Sequence, residues 1–183
     1  MPITINGTGS VTGITTRLAA AAAPAGSVIQ TIQTTKTDVF TSASTSFVDI
    51  TGLSVTITPT ASSSKVLVLV SFSASVTLPD RWHDYKLVRD STDICIGDAA
   101  GSRGRVSVHA QQCDDNWLPN HSPTFTINYL DSPNTTSATT YKLQGKVQSD
   151  SSPSFLINRT DNDNDNDSGS RVASNITVME IAA

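Results

Sequence analysis

From Thr51 to Phe72 the chain reads TGLSVTITPTASSSKVLVLVSF, and its two halves carry different patterns. In the first half Leu53, Val55 and Ile57 alternate with Ser54, Thr56 and Thr58, the period-two signature of a strand with one buried face. Pro59 and the run Ala61-Ser62-Ser63-Ser64 interrupt it as a loop. The second half, Val66-Leu67-Val68-Leu69-Val70, is apolar at every position. It is too short and too β-branched for a helix, so the pattern predicts a strand covered on both faces. A half-wet strand followed by a buried one points to a two-sheet sandwich with this pair at its centre.

The remaining chain repeats the theme at near-regular spacing. Val28 to Gln33 reads as a first strand, and Phe47-Val48-Asp49-Ile50 leads into the central pair. Phe72, Ala74, Val76 and Leu78 share one alternating face, followed by the polar loop Pro79 to Asp84. Tyr85 to Arg89 is a strand, Asp90 to Asp93 a turn, and Ile94-Cys95-Ile96 a return. A loop with Gly97, Gly101 and Gly104 precedes Val106 and Val108. Gln111 to Ser122 is the longest polar connection, with Trp117 in it. Phe125 to Tyr129 alternates, as do Tyr141, Leu143, Gly145 and Val147 against Lys142, Gln144 and Lys146. Phe155-Leu156-Ile157 is short and apolar, and Ile176 to Ile181 closes the chain. The pattern predicts an all-β, jelly-roll-like β-sandwich of about nine strands. Residues 1–27 differ: Ile3, Ile5, Val11 and Ile14 are scattered among Gly and Thr, and Leu18 to Ala23 is alanine-rich. Such a piece buries too little apolar surface to fold alone. It reads as an extended attachment or trimerisation segment ahead of a domain spanning 28–183, or as a disordered leader.

Composition agrees with an all-β chain. Of 183 residues, 25 are Ser and 25 are Thr, and only 15% are charged. Thr suits strands and Ser suits turns. The net charge is -4 with no basic block, so the electrostatic footprint of a nucleic-acid binder is missing. MPITINGTGS has neither a charged n-region nor an apolar h-region, and no apolar run is long enough to span a membrane. Cys95 and Cys113 do not form a disulfide framework. A hairpin centred near Ala100 and Gly101 would leave them out of register.

Several stretches then point the same way: Pro24-Ala25-Gly26-Ser27-Val28-Ile29-Gln30, Phe47-Val48-Asp49-Ile50-Thr51-Gly52-Leu53-Ser54-Val55, and Tyr85-Lys86-Leu87-Val88-Arg89-Asp90-Ser91-Thr92-Asp93. To these add Ile96 to Arg103, Tyr129-Leu130-Asp131-Ser132-Pro133, and Ile176-Thr177-Val178-Met179-Glu180-Ile181. Together, over residues 24–183, they resemble a β-sandwich module of virion structural proteins, often labelled tail fibres, in tailed phages of marine bacteria including cyanobacteria. The resemblance implies a virion component assembled in the host cytoplasm. It implies a homotrimer, joined to other virion proteins through its N-terminal segment and facing the host with its β domain. It brings no catalytic residues and no cofactor. The long shaft of a long tail fibre is missing, which favours a short fibre, a spike, or a protein decorating the capsid or tail. The alternative is a capsid or tail decoration protein without receptor binding. A free glycan-binding lectin is disfavoured by the lack of a secretion signal.

The candidate chemistry is sparse. Trp82 and Trp117 lie in polar loops, the first beside His83, the second near Asp114, Asn116 and His121. An exposed indole beside carboxylate and amide groups suits a host-surface polysaccharide, and aromatic residues equally anchor protein interfaces or cap a core. These six residues form the candidate contact set. His83, His109 and His121 lack metal-ligand spacing. A thiol nucleophile from His109, Cys113 and Asp114 has nothing to orient it, so no enzyme is expected. The run Asp161 to Asp167 resembles a calcium loop but has no Glu at the twelfth position, and a solvated acidic loop is the competing reading. Arg89, Asp90 and Asp93 are expected to pair locally, and Lys142 and Lys146 to lie on a solvated strand face.

Overall fold

The computed structural model describes residues 23–78, 80–111, 120–147, 153–167 and 169–183. Among these residues there are eleven strands: β1 (Val28–Lys36), β2 (Phe40–Ser42), β3 (Val48–Ile57), β4 (Lys65–Val76), β5 (Trp82–Arg89), β6 (Thr92–Ile94), β7 (Val108–Gln111), β8 (Thr124–Asp131), β9 (Thr139–Val147), β10 (Phe155–Ile157) and β11 (Ser174–Ile181). All pairings are antiparallel. In the first sheet β4 lies between β8 and β11, β1 is the outer neighbour of β11, and β10 with β2 continues along β4 past the end of β11. In the second sheet β9 lies between β3 and β5, and β6 and β7 share the other edge of β5. From β3 to β5, and again from β7 through β8 and β9 to β10, the chain crosses between the sheets at each step. This is the winding of a jelly roll.

The core follows the period-two pattern. Val66, Val68, Val70, Phe72, Ala74 and Val76 of β4 are buried, as are Ile176 and Val178 of β11 and Ile127 of β8. From the second sheet Ile50, Leu53, Val55 and Ile57 of β3, Tyr85 and Leu87 of β5, and Tyr141, Leu143 and Val147 of β9 complete it. An aromatic group spans both layers. Phe72 meets Tyr85 at 4.8 Å between ring centroids, and Tyr85 meets Phe155 edge-on at 5.8 Å. Gly145 of β9 lies under these rings. A Cβ there would stand 2.8 Å from the Phe155 ring and 3.0 Å from that of Tyr85.

Several expectations need correction. The strands on either side of Pro59 are not partners: β3 pairs only with β9 at the edge of the second sheet, while β4 is central in the first. The Pro59 to Ser64 loop is therefore a crossover, not a hairpin. Phe72 to Val76 is no separate strand; it continues β4, with Ser73 and Ser75 buried on the outward side. Ser73 there bonds Ser122, and Ser75 bonds the carbonyl of Arg159. The return after β6 does not pair with β7, because both lie along the same edge of β5. Cys95 is a half-buried free thiol, and Cys113 lies outside the described residues. Arg89 does not pair with Asp90 or Asp93. It reaches across to Asp131 at 2.8 Å, and Asp93 is held by Lys86.

Two buried carboxylates fasten the layers. Glu180, fully buried, accepts hydrogen bonds from the Thr60 amide and hydroxyl, the Ser64 hydroxyl and the Gln30 amide nitrogen, at 2.6 to 2.7 Å. Burial alone would raise its pKa, but these donors outweigh it and hold the carboxyl below its ordinary value. Asp131 takes Arg89 from β5 and the Tyr141 hydroxyl from β9, tying β8 to the opposite sheet.

The two outer faces differ in kind. The second sheet is solvated and charged. Asp49 accepts bonds from Lys142 at 2.8 Å and Gln144 at 2.7 Å, and Lys86 and Lys146 stand 4.4 and 5.1 Å from the Phe47 ring centroid. On the first sheet, among the described outward positions of β1, β4, β8 and β11, Lys65 alone is charged. Leu67 there is flanked in register by Met179 and Leu130, with Leu69 and Ile181 diagonal to this row. Leu130 is 54% exposed, and Val28, facing Ile181, is 56% exposed.

Candidate functional site

The site grows from the alternation of β5. Trp82 and Asp84 point outward while His83 and Tyr85 point into the core, since neighbouring strand residues face opposite sides. The proposed grouping of Trp82 with His83 is thus split. His83 is 2% exposed, and its Nδ1 shares a hydrogen bond with the Tyr85 hydroxyl at 2.8 Å. Burial lowers the His83 pKa from 6.5 to about 4, with the Asp84 carboxylate opposing and His109 adding to the fall. It is a neutral core histidine and contacts no outside ligand. His121 is exposed ahead of β8. Asp114, Asn116 and Trp117 lie outside the described residues, as do Cys113 and the thiol trio that would have included it.

Trp82 remains at the surface, 43% exposed, and borders an open cleft of about 430 Å³. The other walls are Asp84 from β5, His109 from β7, and Ser102, Arg103, Gly104 and Val106 from the loop joining β6 to β7. Register explains the assembly. Asp84 lies directly opposite His109 on one side and Lys146 of β9 on the other. The Trp82 and His109 rings are 6.1 Å apart. The loop from Gly97 to Ser107 folds back over this edge, closed by a Gly97 amide bond to the Val106 carbonyl at 3.3 Å, and Gly101 adopts φ +61° in it.

Asp84 is the electrostatic pivot. Its side chain is 2% exposed although it faces outward. One carboxylate oxygen accepts from His109 Nδ1 at 2.6 Å, and the other lies 3.6 Å from Lys146 Nζ. A carboxylate can only accept, so His109 Nδ1 carries a proton, and in the neutral ring Nε2 is then the acceptor. Among the described residues no group bonds that second nitrogen, and no hydroxyl is activated by the pair. Arg103 reaches only the Ala100 carbonyl of its own loop, at 3.4 Å. Arg105 beside it is held by the Gly97 carbonyl at 2.7 Å.

Of this cleft the sequence reading found Trp82 alone. The sequence pattern puts Asp84 in a loop, and it sets His109 beside His83 and His121 as a candidate metal ligand, or beside Cys113 and Asp114 as a thiol trio, never beside Asp84. The signal that could have joined them is the cross-strand register of β5 with β7, invisible until both strands are placed. In the aspartate run, Asp163 is held by Arg171 at 2.6 Å and Arg159 at 3.3 Å. Among the described residues no group of three or more His, Cys, Asp or Glu is placed to hold a metal, and no helix is long and apolar enough to cross a membrane. Compared with known proteins, the chain matches no family model, and no curated protein matches its sequence.

Proposed function

We propose that this chain is a phage virion structural protein, a non-enzymatic homotrimer acting as a short tail fibre or spike that helps attach the particle to the host surface. The observation that carries the attachment role is the cleft at Trp82. An exposed indole stands beside a hydrogen-bonding imidazole and an arginine without a carboxylate partner, on the sheet face that is otherwise solvated and charged. Indoles stack on sugar faces while polar neighbours take hydroxyls. The resemblance of residues 24–183 to phage virion modules supports the setting, and the jelly roll is a fold that such proteins share with lectins.

Self-association is supported by the other face. A nearly uncharged sheet surface with Leu67, Met179 and Leu130 in one row is what a subunit contact presents, since charged residues are depleted at the centre of interfaces. The occupant we assign is a second copy of the same chain. A neutral face with Thr, Ser and Asn around an apolar row repels no like-charged copy, and in a threefold ring different parts of it meet on neighbouring subunits. In this arrangement the Trp82 cleft, on the opposite sheet, stays outward. The N-terminal 27 residues would join the trimer to the particle.

Immunogold labelling of intact particles, using antibody raised to the full chain, tests the assignment. Gold at the tail tip or fibre position is expected. Gold spread over the capsid or along the tail would move the chain to the decoration class, and its loss from purified particles would overturn a virion role.

A further inference from the structure

We infer that the Trp82 cleft takes an acidic saccharide, with the sugar carboxylate on Arg103 and a pyranose face on the indole; this rests on reading the cleft as the attachment site. Charge decides the class. Asp84 would favour a cation if it were free, but His109 at 2.6 Å and Lys146 at 3.6 Å already satisfy it. With that carboxylate neutralised, the unpaired cation of the cleft is the exposed Arg103 guanidinium, whose protein contact is a single carbonyl at 3.4 Å. A planar carboxylate matches the guanidinium fork with two parallel charge-assisted bonds. A cationic ligand would meet the arginine instead and be repelled.

The remaining groups suit a sugar better than a small carboxylic acid. The exposed Trp82 indole offers an apolar surface, and the C–H face of a pyranose is its complement. His109 Nε2, left open by the bond on Nδ1, can pair with one sugar hydroxyl, and the exposed Ser102 hydroxyl can serve another. A cleft of about 430 Å³ lies within the range that holds small ligands. Its open form admits one or two residues within a longer polymer, as contact with a surface polysaccharide requires.

The test is calorimetric titration of the full chain with trigalacturonate and with neutral galactotriose. Trigalacturonate is expected to bind about tenfold more tightly, the worth of one charge-assisted pair. Arg103→Ala is expected to remove that preference while leaving weak binding of both sugars. Trp82→Ala is expected to abolish both. Each variant is checked by thermal melting, because both side chains are exposed and their loss should leave the fold intact. Equal affinity for the two sugars, or a preference that survives Arg103→Ala, overturns the acidic class while leaving the attachment reading in place. Binding of neither sugar, or binding indifferent to Trp82→Ala, overturns the saccharide cleft itself. The particle-labelling result is independent of all these outcomes, so failure of the virion reading is told apart from failure of the ligand class.

Discussion

Acidification should weaken this fold through one buried ring. His83 has a pKa of about 4 in the folded chain because burial penalises its charged form, against 6.5 when exposed. Between these values the unfolded chain takes up a proton that the native chain refuses. Stability is therefore complete above about pH 6.5, declines as pH falls towards 4, and loses nothing more from this group below that. At 1.36 kcal/mol per pH unit, the gap between 6.5 and about 4 amounts to roughly 3 kcal/mol. That is a large share of the total stability of a single domain. The cause is geometric: His83 lies under Phe125, at 6.2 Å between ring centroids, and its Nδ1 is already committed to the Tyr85 hydroxyl. Urea unfolding at pH 7, 6, 5 and 4 measures the effect, comparing the native chain with His83→Asn, which keeps a polar atom near the Tyr85 hydroxyl but does not titrate. The native chain should lose about 3 kcal/mol more than the variant over this interval. Parallel pH profiles for the two proteins would refute the assignment of a neutral, desolvated imidazole.

Three further variants test the packing. Gly145→Ala should destabilise by about 1–3 kcal/mol, because its Cβ would press on the buried Phe155 and Tyr85 rings; an unchanged denaturant midpoint would contradict that contact. Glu180→Ala should cost about 3 kcal/mol in urea unfolding, since the Thr60 amide, the Ser64 hydroxyl and the Gln30 amide lose their common acceptor. In the native chain the lowered Glu180 carboxyl contributes stability that is present above its ordinary value near 4.5 and lost as pH drops through the folded value, so the same variant should flatten the acid limb of the stability curve below pH 4.5. Tyr141→Phe should cost only about 1 kcal/mol by the same assay, because Arg89 continues to hold Asp131.

The layer architecture was legible because alternation is a local signal. Leu53, Val55 and Ile57, and Tyr141, Leu143, Gly145 and Val147, face the core as their spacing requires. Which strand lies beside which was not legible, because pairing is decided by contacts far apart in sequence. β4 thus acquired β8 and β11 as neighbours rather than the strand just before it. Leu67 and Leu69 read as core positions, yet they lie half-buried on the outer face of the first sheet. A continuous apolar run reports two apolar faces and does not say what covers the second. His83 misled in the opposite direction. A histidine among Asp, Arg and Trp reads as a loop residue, but the strand begins one position earlier and turns it inward. Glu180 and Asp131 gave no signal as fasteners, since the donors that satisfy each are remote in the chain.

In the homotrimer we propose, three copies of this chain join through the neutral face of the first sheet. Light scattering on the full chain after size exclusion measures it most directly. A mass of three times 19.3 kDa is expected, falling to 19.3 kDa when Leu67 and Leu130 are both replaced by lysine. A native chain that runs as a monomer at tens of micromolar would contradict the trimer, and a trimer untouched by the two lysines would contradict the face assigned to it.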